Sequence, residues 1–350
     1  MKVLIVQVGT PVNPSDFQGQ QLFEEPTVTH GKQYFRYSEV VNNMQTRESL
    51  KGTGIDVHHI YFTGRKNPIN CIKAAWKLRQ MVHREKFDLV NQYWGGISSF
   101  FTAFFCPCVY IISFLGSDVY GQYKTDGSKT LMGKMLSFFS QLTGVFATGI
   151  IVMSEKMKEK LWASSRKKAT AICEGISPNK FYPIDNVAAK KRLGWDLEQP
   201  NVLFFPSEAY VKNTPLAKAA FDQLKIKLPQ ANLVLVHGVP HAELVWYYNA
   251  ADLLLLTSYH EGSNNSIKEA LACKLPVVSV NVGDARERLQ KVAPSAVVDT
   301  FDANEIANVM LGILTERRRS NGSLVVHEVE LPNIAAQIVR FYHAKLTTAS

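Results

Sequence analysis

The chain has 350 residues, enough for two domains that each bury a core. Hydrophobic residues make up 46% and charged residues 20%, which excludes a disordered or fibrous chain. The net charge of +9 suits nucleic acid, an anionic membrane surface or anionic substrates; no DNA- or RNA-binding motif occurs, so nucleic acid is not expected and the other two remain.

Lys2 is followed at once by Val3-Leu4-Ile5-Val6, a strand rather than an export signal. The five cysteines are scattered and odd in number, so a reducing, cytoplasmic compartment is expected. The strand Val3–Val8 runs into Gly9, with no GxGxxG after it. Residues 12–31, with Gly19, read as a long loop, either functional or plain surface. A helix is expected over Phe35–Leu50 and a strand over Ile55–Ile60. His58 and His59 are adjacent on that strand and point to opposite faces, so they are read as structural. Asn67 and Pro68 then open a helix whose apolar face is Ile69, Ile72, Ala75, Trp76, Leu78 and Val82.

Strand Asp88–Tyr93 leads to the loop Trp94-Gly95-Gly96. The stretch from Gly96 to Gly116 imitates a membrane span in length, but Pro107 divides it into a helix and a buried strand, Val109–Phe114. Cys106-Pro107-Cys108 is too short and isolated for a zinc site. Leu115-Gly116-Ser117-Asp118 forms the next loop, and residues 121–134 read as a polar, mobile one. Leu131–Phe146 is read as a core helix, with a helix on a membrane surface as the alternative. After strand Gly149–Val152, Ser154 caps a helix over Glu155–Trp162. The cations Lys156, Lys158, Lys160, Arg166, Lys167 and Lys168 make either a solvated face or a contact for an anionic membrane.

The second half alternates strands (Asn201–Phe205, Leu233–Val236, Leu253–Leu256, Pro276–Val280) with helices (Val187–Leu193, Asn213-capped to Leu224, Glu243–Ala250). This is the pattern of a doubly wound α/β fold. Asp302 and Glu305 form a capping box before an apolar face of Ile306, Val309, Met310, Ile313 and Leu314. A final helix carries Ile334, Ile338, Val339, Phe341 and Tyr342. In open parallel sheets ligands bind outside the carboxyl ends of strands. At one such end lies His260-Glu261-Gly262-Ser263-Asn264-Asn265, with a helix opening near Ser266, a natural anion site. Glu261 and Glu269, with seven residues between them, frame it, and carboxylates match vicinal sugar hydroxyls. Spacing alone equally allows an ordinary βαβ unit with surface glutamates.

Glu261-Gly262, Ala270-Leu271-Ala272-Cys273, Pro276-Val277-Val278 and Val282-Gly283 resemble the donor-site signature of the family-4 retaining glycosyltransferases, over roughly 35 residues. The resemblance implies a GT-B fold: α/β, two Rossmann-like domains with parallel sheets facing across a cleft. The expected division is 1–172 for the acceptor side and 173–332 for the nucleotide-sugar side, with a helix over 333–350 crossing back. It implies that Glu261 touches the transferred sugar and Glu269 the ribose. Ser263, Asn264, Asn265 and Ser266, with Gly262, would present backbone to the diphosphate, and Gly238 and Val239 would lie against the base. Gly9, Gly19, Trp94, Gly116 and Asp118 would face the acceptor.

The chain departs from the family pattern in several places. Asn264 stands where proline is usual, and Glu174 where asparagine precedes Gly175. Leu115 replaces a histidine near the reacting centre. Lys212 matches the diphosphate lysine, but Ser207 falls where an arginine is usual. The implied activity is metal-independent, since no Asp-x-Asp occurs, and needs no cofactor. Lys212, Glu261 and Asp118 are the expected catalytic residues. The partners are a UDP- or GDP-sugar and a glycan or lipid-linked acceptor, at the inner membrane face by family habit. A catalytically weak nucleotide-sugar binder is one alternative; a nucleotide-sugar epimerase of the same fold, expected to lack the two-glutamate stretch, is another.

Overall fold

The computed structural model describes residues 1–8, 49–50, 52–62, 68–207 and 209–349. The loop with Gly9 and Gly19, and the helix expected from Phe35, lie outside the described residues apart from helical Ser49 and Leu50. The chain forms two compact units. One takes the described residues within Met1–Gln122, Lys129–Cys173 and Ile334–Ser350, the other Tyr123–Ser128 and Glu174–Asn333.

The first unit is built on a six-stranded parallel sheet, ordered β2-β1-β3-β4-β5-β6. Its strands are β1 (Lys2–Val8), β2 (Asp56–Phe62), β3 (Leu89–Tyr93), β4 (Val109–Phe114), β5 (Gly149–Val152) and β6 (Ala169–Ala171). Every residue of β3, β4 and β5 is buried, as apolar runs covered on both faces should be. The second unit has five parallel strands in the order β11-β10-β9-β7-β8. These are β7 (Asn201–Phe204), β8 (Asn232–Leu235), β9 (Leu253–Leu256), β10 (Val277–Val280) and β11 (Ala296–Val298). In each sheet the order reverses once, between β1 and β3 and between β7 and β9. Such switch points leave a crevice at the carboxyl ends.

The main helices are α1 (Pro68–Glu85), α2 (Ile97–Phe105), α3 (Leu131–Phe146), α4 (Glu155–Glu159), α5 (Ala163–Arg166), α6 (Thr214–Lys227), α7 (Leu244–Ala250), α8 (Asn265–Ala272), α9 (Ala303–Glu316) and α10 (Leu331–Ala349). The apparent membrane span resolves into α2 and β4, and no helix among the described residues is long and apolar enough to cross a membrane.

Several expectations change. The buried face of α1 is Cys71, Ala75, Leu78 and Val82, while Ile69, Ile72 and Trp76 are exposed. The 71-75-78-82 spacing is as helical as the expected one, and a narrow face of smaller residues fits closer to the sheet. The expected helix over Glu155–Trp162 stops at Glu159 and a separate turn follows. Gln141 causes the break: its Nε2 donates to the Lys160 carbonyl and its Oε1 accepts from the Trp162 amide, both at 2.9 Å. The capping box is half formed. Asp302 accepts from the Glu305 amide, but Glu305 takes the Thr300 hydroxyl instead of reaching back. Asn213 stands before α6 in a left-handed conformation and caps it without its side chain. Residues 123–128, expected as a mobile loop, form a closed turn counted with the second unit, with Tyr123 stacked on Tyr210.

Helix α3 differs most. Its buried residues are Gly133, Ser140, Gln141, Thr143 and Gly144, while Leu131, Met132, Met135, Phe138 and Phe146 are exposed. Its core side is small and polar because neighbours approach closely: Thr143 and Ser99 of α2 share a hydroxyl hydrogen bond of 2.9 Å, Gly133 lies against the Gln122 backbone and Gly144 against Ser165.

Helix α10 seals the first sheet: Ile334, Ala335, Ile338 and Tyr342 are buried, and Asn91 on β3 donates to the Tyr342 hydroxyl at 2.6 Å. Tyr342→Phe should cost about 1–3 kcal/mol of the first unit's stability by leaving that amide unpaired. Urea unfolding followed by tryptophan fluorescence measures the loss.

Candidate active site

The loops at the carboxyl ends of β7 and β9 meet at the second unit's switch point. The Thr257 hydroxyl donates to the carbonyls of Lys212 and Asn213 at 3.1 and 3.2 Å, and the Tyr259 amide to the Val211 carbonyl at 2.8 Å. These bonds fix the two loops in register, and the side chains follow. Lys212 Nζ and the Ser258 hydroxyl both donate to Glu261 Oε1, each at 2.7 Å. Burial pushes the Glu261 carboxyl up, but the Lys212 charge and hydrogen bond, with those of Ser258 and Asn264, outweigh it and hold the group below its ordinary range. Glu261 is a carboxylate kept ionised beside a cation.

A third loop supports the first two. Gly283 adopts φ +50°, and a Cβ there would stand 2.8 Å from the Gly262 carbonyl, so only glycine fits against the Glu261 loop. Buried Asp284 accepts from the Ser263 hydroxyl at 2.8 Å and from Arg288 at 2.9 Å. Helix α8 begins at Asn265, and its N-cap, Asn264, makes no side-chain cap bond, so that side chain does not cover the first-turn amides. The Oδ1 atoms of Asn264 and Asn265 are buried without a hydrogen-bond partner. Two such acceptors at a helix start, beside a carboxylate, have the chemistry to receive ligand hydroxyls.

Glu269 lies on α8, nearly fully buried. Its Oε1 is 3.1 Å from His241 Nε2, and its Oε2 accepts from the Tyr248 hydroxyl at 2.7 Å. Phe181 packs edge-on against both His241 and Tyr248. Gly238 takes φ +70° in the loop before His241. Ser207 uses its hydroxyl to accept from the Ala209 amide at 3.1 Å and presents no charge. Glu174, the departure at the chain crossing, accepts from Asn265 Nδ2 at 2.9 Å, and its carbonyl accepts from buried Lys268 at 2.6 Å, so it anchors α8.

In the first unit, Asp118 is wholly buried. Its carboxylate accepts from the amides of Gly95 (3.0 Å), Leu115 (3.1 Å), Gly116 (2.8 Å) and Val119 (3.1 Å). Burial raises its pKa, and the amides of Gly95, Gly116 and Leu115 offset only part of that. The side chain therefore joins the Trp94 loop to the Leu115 loop. Trp94 holds φ +76° and Gly116 φ +152°, both left-handed positions at strand ends. Gly9 and Gly19 lie outside the described residues.

The structure thus brings together Lys212, Glu261, Gly262, Ser263, Asn264, Asn265 and Ser266, with Ser207 on the adjoining loop. Sequence reasoning missed Ser258, His241, Tyr248 and Asp284. Ser258 could have been found from its position three before Glu261; the others are distant in sequence and carried no local signal. Among the described residues, no group of three or more His, Cys, Asp or Glu could hold a metal.

Residues 212–316 match a family model described as glycosyl transferases group 1, so the chain carries a domain of that kind. A Bacillus subtilis (strain 168) protein described as "Putative teichuronic acid biosynthesis glycosyltransferase TuaC" is 28% identical over 192 residues, 50% of this chain and 47% of its own length. The chain spans less than half the length of the curated relatives it matches. Sucrose-phosphate synthase from Thermosynechococcus elongatus aligns over 99% of this chain and 100% of its own, with TM-score 0.72 and 17% identity. HepE of Anabaena, solved in complex with UDP, aligns over 98% and 100%, with TM-score 0.67 and 14% identity. The fold is GT-B, two Rossmann-like units with parallel sheets of six and five strands.

Glu261→Gln should weaken folding by about 2 kcal/mol near neutrality, because Lys212 and Ser258 lose an ionised acceptor. A carboxyl with a lowered folded pKa stabilises above its unfolded value and loses that contribution as pH falls through the folded one. The gap between wild type and variant should therefore close as the pH drops below about 4.5, the ordinary value, as denaturant titrations across that range will report.

Proposed function

We propose that this chain is a retaining, metal-independent glycosyltransferase that moves a sugar from a UDP- or GDP-sugar to a glycan or lipid-linked acceptor in polysaccharide or glycoconjugate synthesis. The observation that carries the reading is the Lys212–Glu261 ion pair beside the start of α8, among unpartnered amide oxygens. The group 1 domain and the GT-B fold support it.

In this mechanism Lys212 leaves Glu261 for the donor diphosphate, and Glu261 turns its freed oxygen to sugar hydroxyls. The bond from the anomeric carbon to the diphosphate oxygen breaks. Lys212 and the backbone amides of Ser263 to Ser266 stabilise the charge that develops there. The acceptor oxygen attacks from the face the diphosphate leaves, and its proton passes to a donor phosphate oxygen; this step follows from the resemblance to the retaining family. Glu269, set by His241 and Tyr248, holds the ribose, and Gly238 and Val239 lie against the base. Asp118 serves by fixing the Trp94 and Gly116 loops rather than by touching the acceptor. Gly9, Gly19 and the protein's placement in the cytoplasm, at an anionic membrane face, belong to the same reading.

A second reading, a nucleotide-sugar binder with weak transfer, is favoured by Ser207, whose hydroxyl supplies no cation to the diphosphate, and by apolar Leu115. Donor-dependent transfer at ordinary catalytic rates would exclude it. A thermal-shift screen of nucleotides and nucleotide sugars should single out one UDP- or GDP-sugar; absence of any stabilisation would overturn both readings. Glu261→Ala should lower transfer about 10²–10³-fold with little change in nucleotide affinity. Glu269→Ala should instead weaken nucleotide binding by calorimetry, and unchanged affinity would refute its ribose role. EDTA should leave turnover intact, and a loss restored by Mg²⁺ or Mn²⁺ would contradict the metal-independent step.

A further inference from the structure

Helix α3 reverses the usual amphipathic arrangement. A helix on a water-soluble domain turns its bulky apolar residues inward. Here glycine, serine, threonine and glutamine face the core, and Leu131, Met132, Phe138 and Phe146 face out, at 76%, 57%, 52% and 46% exposure. The outer face does not end with the helix. Phe138 meets Trp162 at 6.1 Å on one side and Phe139 at 5.7 Å on the other. Phe139 continues to Phe100 at 5.7 Å, Phe100 to Phe146 at 5.8 Å, and Phe146 to Phe104 at 5.5 Å. Phe104 then reaches Phe105, and Phe105 reaches Trp76. One chain of aromatic rings crosses the surface of the first unit, and Trp76, Phe104 and Trp162 along it are each more than two-fifths exposed. Contiguous apolar patches of this kind mark interaction surfaces.

The charges around it select the occupant. Lys134 is the only charged residue on α3, and it is exposed. Beside Trp162 the segment 155–168 carries six cations against two carboxylates. Lys158 is paired with Glu155 at 3.2 Å, but Lys160, two residues before Trp162, and Lys167 are exposed. Lys168 donates to the carbonyls of Val145 and Ala147, which binds this basic segment to the end of α3. Tryptophan and phenylalanine above lysine is the composition of a surface that enters the headgroup layer while its cations meet anionic lipid. A second copy paired face to face would bring two positively charged rims together. Nucleic acid is not favoured, since no nucleic-acid-binding motif occurs in the chain and the exposed Leu131 and Met132 offer bases nothing to stack on.

We propose that the outer face of α3, with Phe104 and Trp162, docks the protein on an anionic lipid bilayer, lying on it rather than crossing it. This deepens the proposed function, on which it rests for the acceptor: a lipid-linked acceptor would be met at the surface where the lipid resides.

The test is flotation of the full chain with vesicles of phosphatidylglycerol mixed with phosphatidylcholine, and with phosphatidylcholine alone, alongside a nucleotide-sugar thermal shift on the same samples. Wild type should float with the anionic vesicles, and high salt should release much of it. Leu131→Glu and Phe138→Glu, at exposed positions, should each reduce partitioning about tenfold while keeping the donor-induced shift. Lys134→Glu combined with Lys160→Glu should remove the preference for anionic lipid and leave the donor shift unchanged. Equal flotation of wild type and the α3 variants would overturn the proposal. So would a wild-type dimer that these variants dissociate and that does not float, since a second copy would then cover the face. Flotation without any donor shift would leave docking standing and defeat the glycosyltransferase reading.

Discussion

The candidate site depends on one ion pair. Lys212 and Glu261 come from loops after β7 and β9, strands that are neighbours in the sheet but separated in sequence by a whole βα unit. Reversal of strand order is what makes those loops adjacent. The Thr257 and Tyr259 bonds then lock the loop backbones so that Lys212 and Glu261 meet at 2.7 Å. Burial alone would raise this carboxyl's pKa; the Lys212 charge and hydrogen bond outweigh that, and the carboxylate in turn holds the lysine in place. The pair is thereby held in place, and its supports extend outward through Ser258, Gly283 and Asp284.

That dependence explains what could be read from the residues alone. The apolar runs at Leu253–Leu256 and Val277–Val280 are buried strands, the loop between them ends in a helix start, and all of this is local pattern. The two-unit α/β organisation follows from repeating such patterns. What escaped was tertiary. His241 and Tyr248 reach Glu269 from a loop and a helix of a different βα unit. Gln141 ends a helix that lies twenty residues downstream by taking its carbonyl and amide groups. The face of α1 could be drawn two ways around Ala75, Leu78 and Val82, and only its packing adds Cys71 and turns out Ile69, Ile72 and Trp76.

The departures from the resembled family fall on both sides of a line. Glu174 and Asn264 are absorbed: one anchors α8 through Asn265 and the Lys268 ammonium, the other is buried at the helix start with an open acceptor. Ser207 and Leu115 are not. Ser207 spends its hydroxyl on the neighbouring Ala209 amide, and the Leu115 amide is held by Asp118, which leaves an apolar side chain where a polar one is usual. On the proposed function, the groups that would receive the donor are all present, while the charge on the leaving group would be met by fewer, with Lys212 as the principal cation.

Helix α3 shows why apolar composition does not by itself mean burial. The sequence pattern favours the core for its leucine, methionine and phenylalanine residues, the usual fate of an apolar helix face, with a helix on a membrane surface as the alternative. Close neighbours demand small groups on its inner face: the Gln122 backbone at Gly133, Ser165 at Gly144, Gly95 at Ser140 and Ser99 of α2 at Thr143, with the Ser140 and Thr143 hydroxyls satisfied by Leu136, Ser99 and Phe139. Once the small residues take the inner face, geometry forces the large ones outward. A water-facing surface bearing Phe104, Phe138, Phe146 and Trp162 has a free-energy cost that the proposed bilayer contact would relieve, and exposed Lys134 and Lys160 would favour an anionic one.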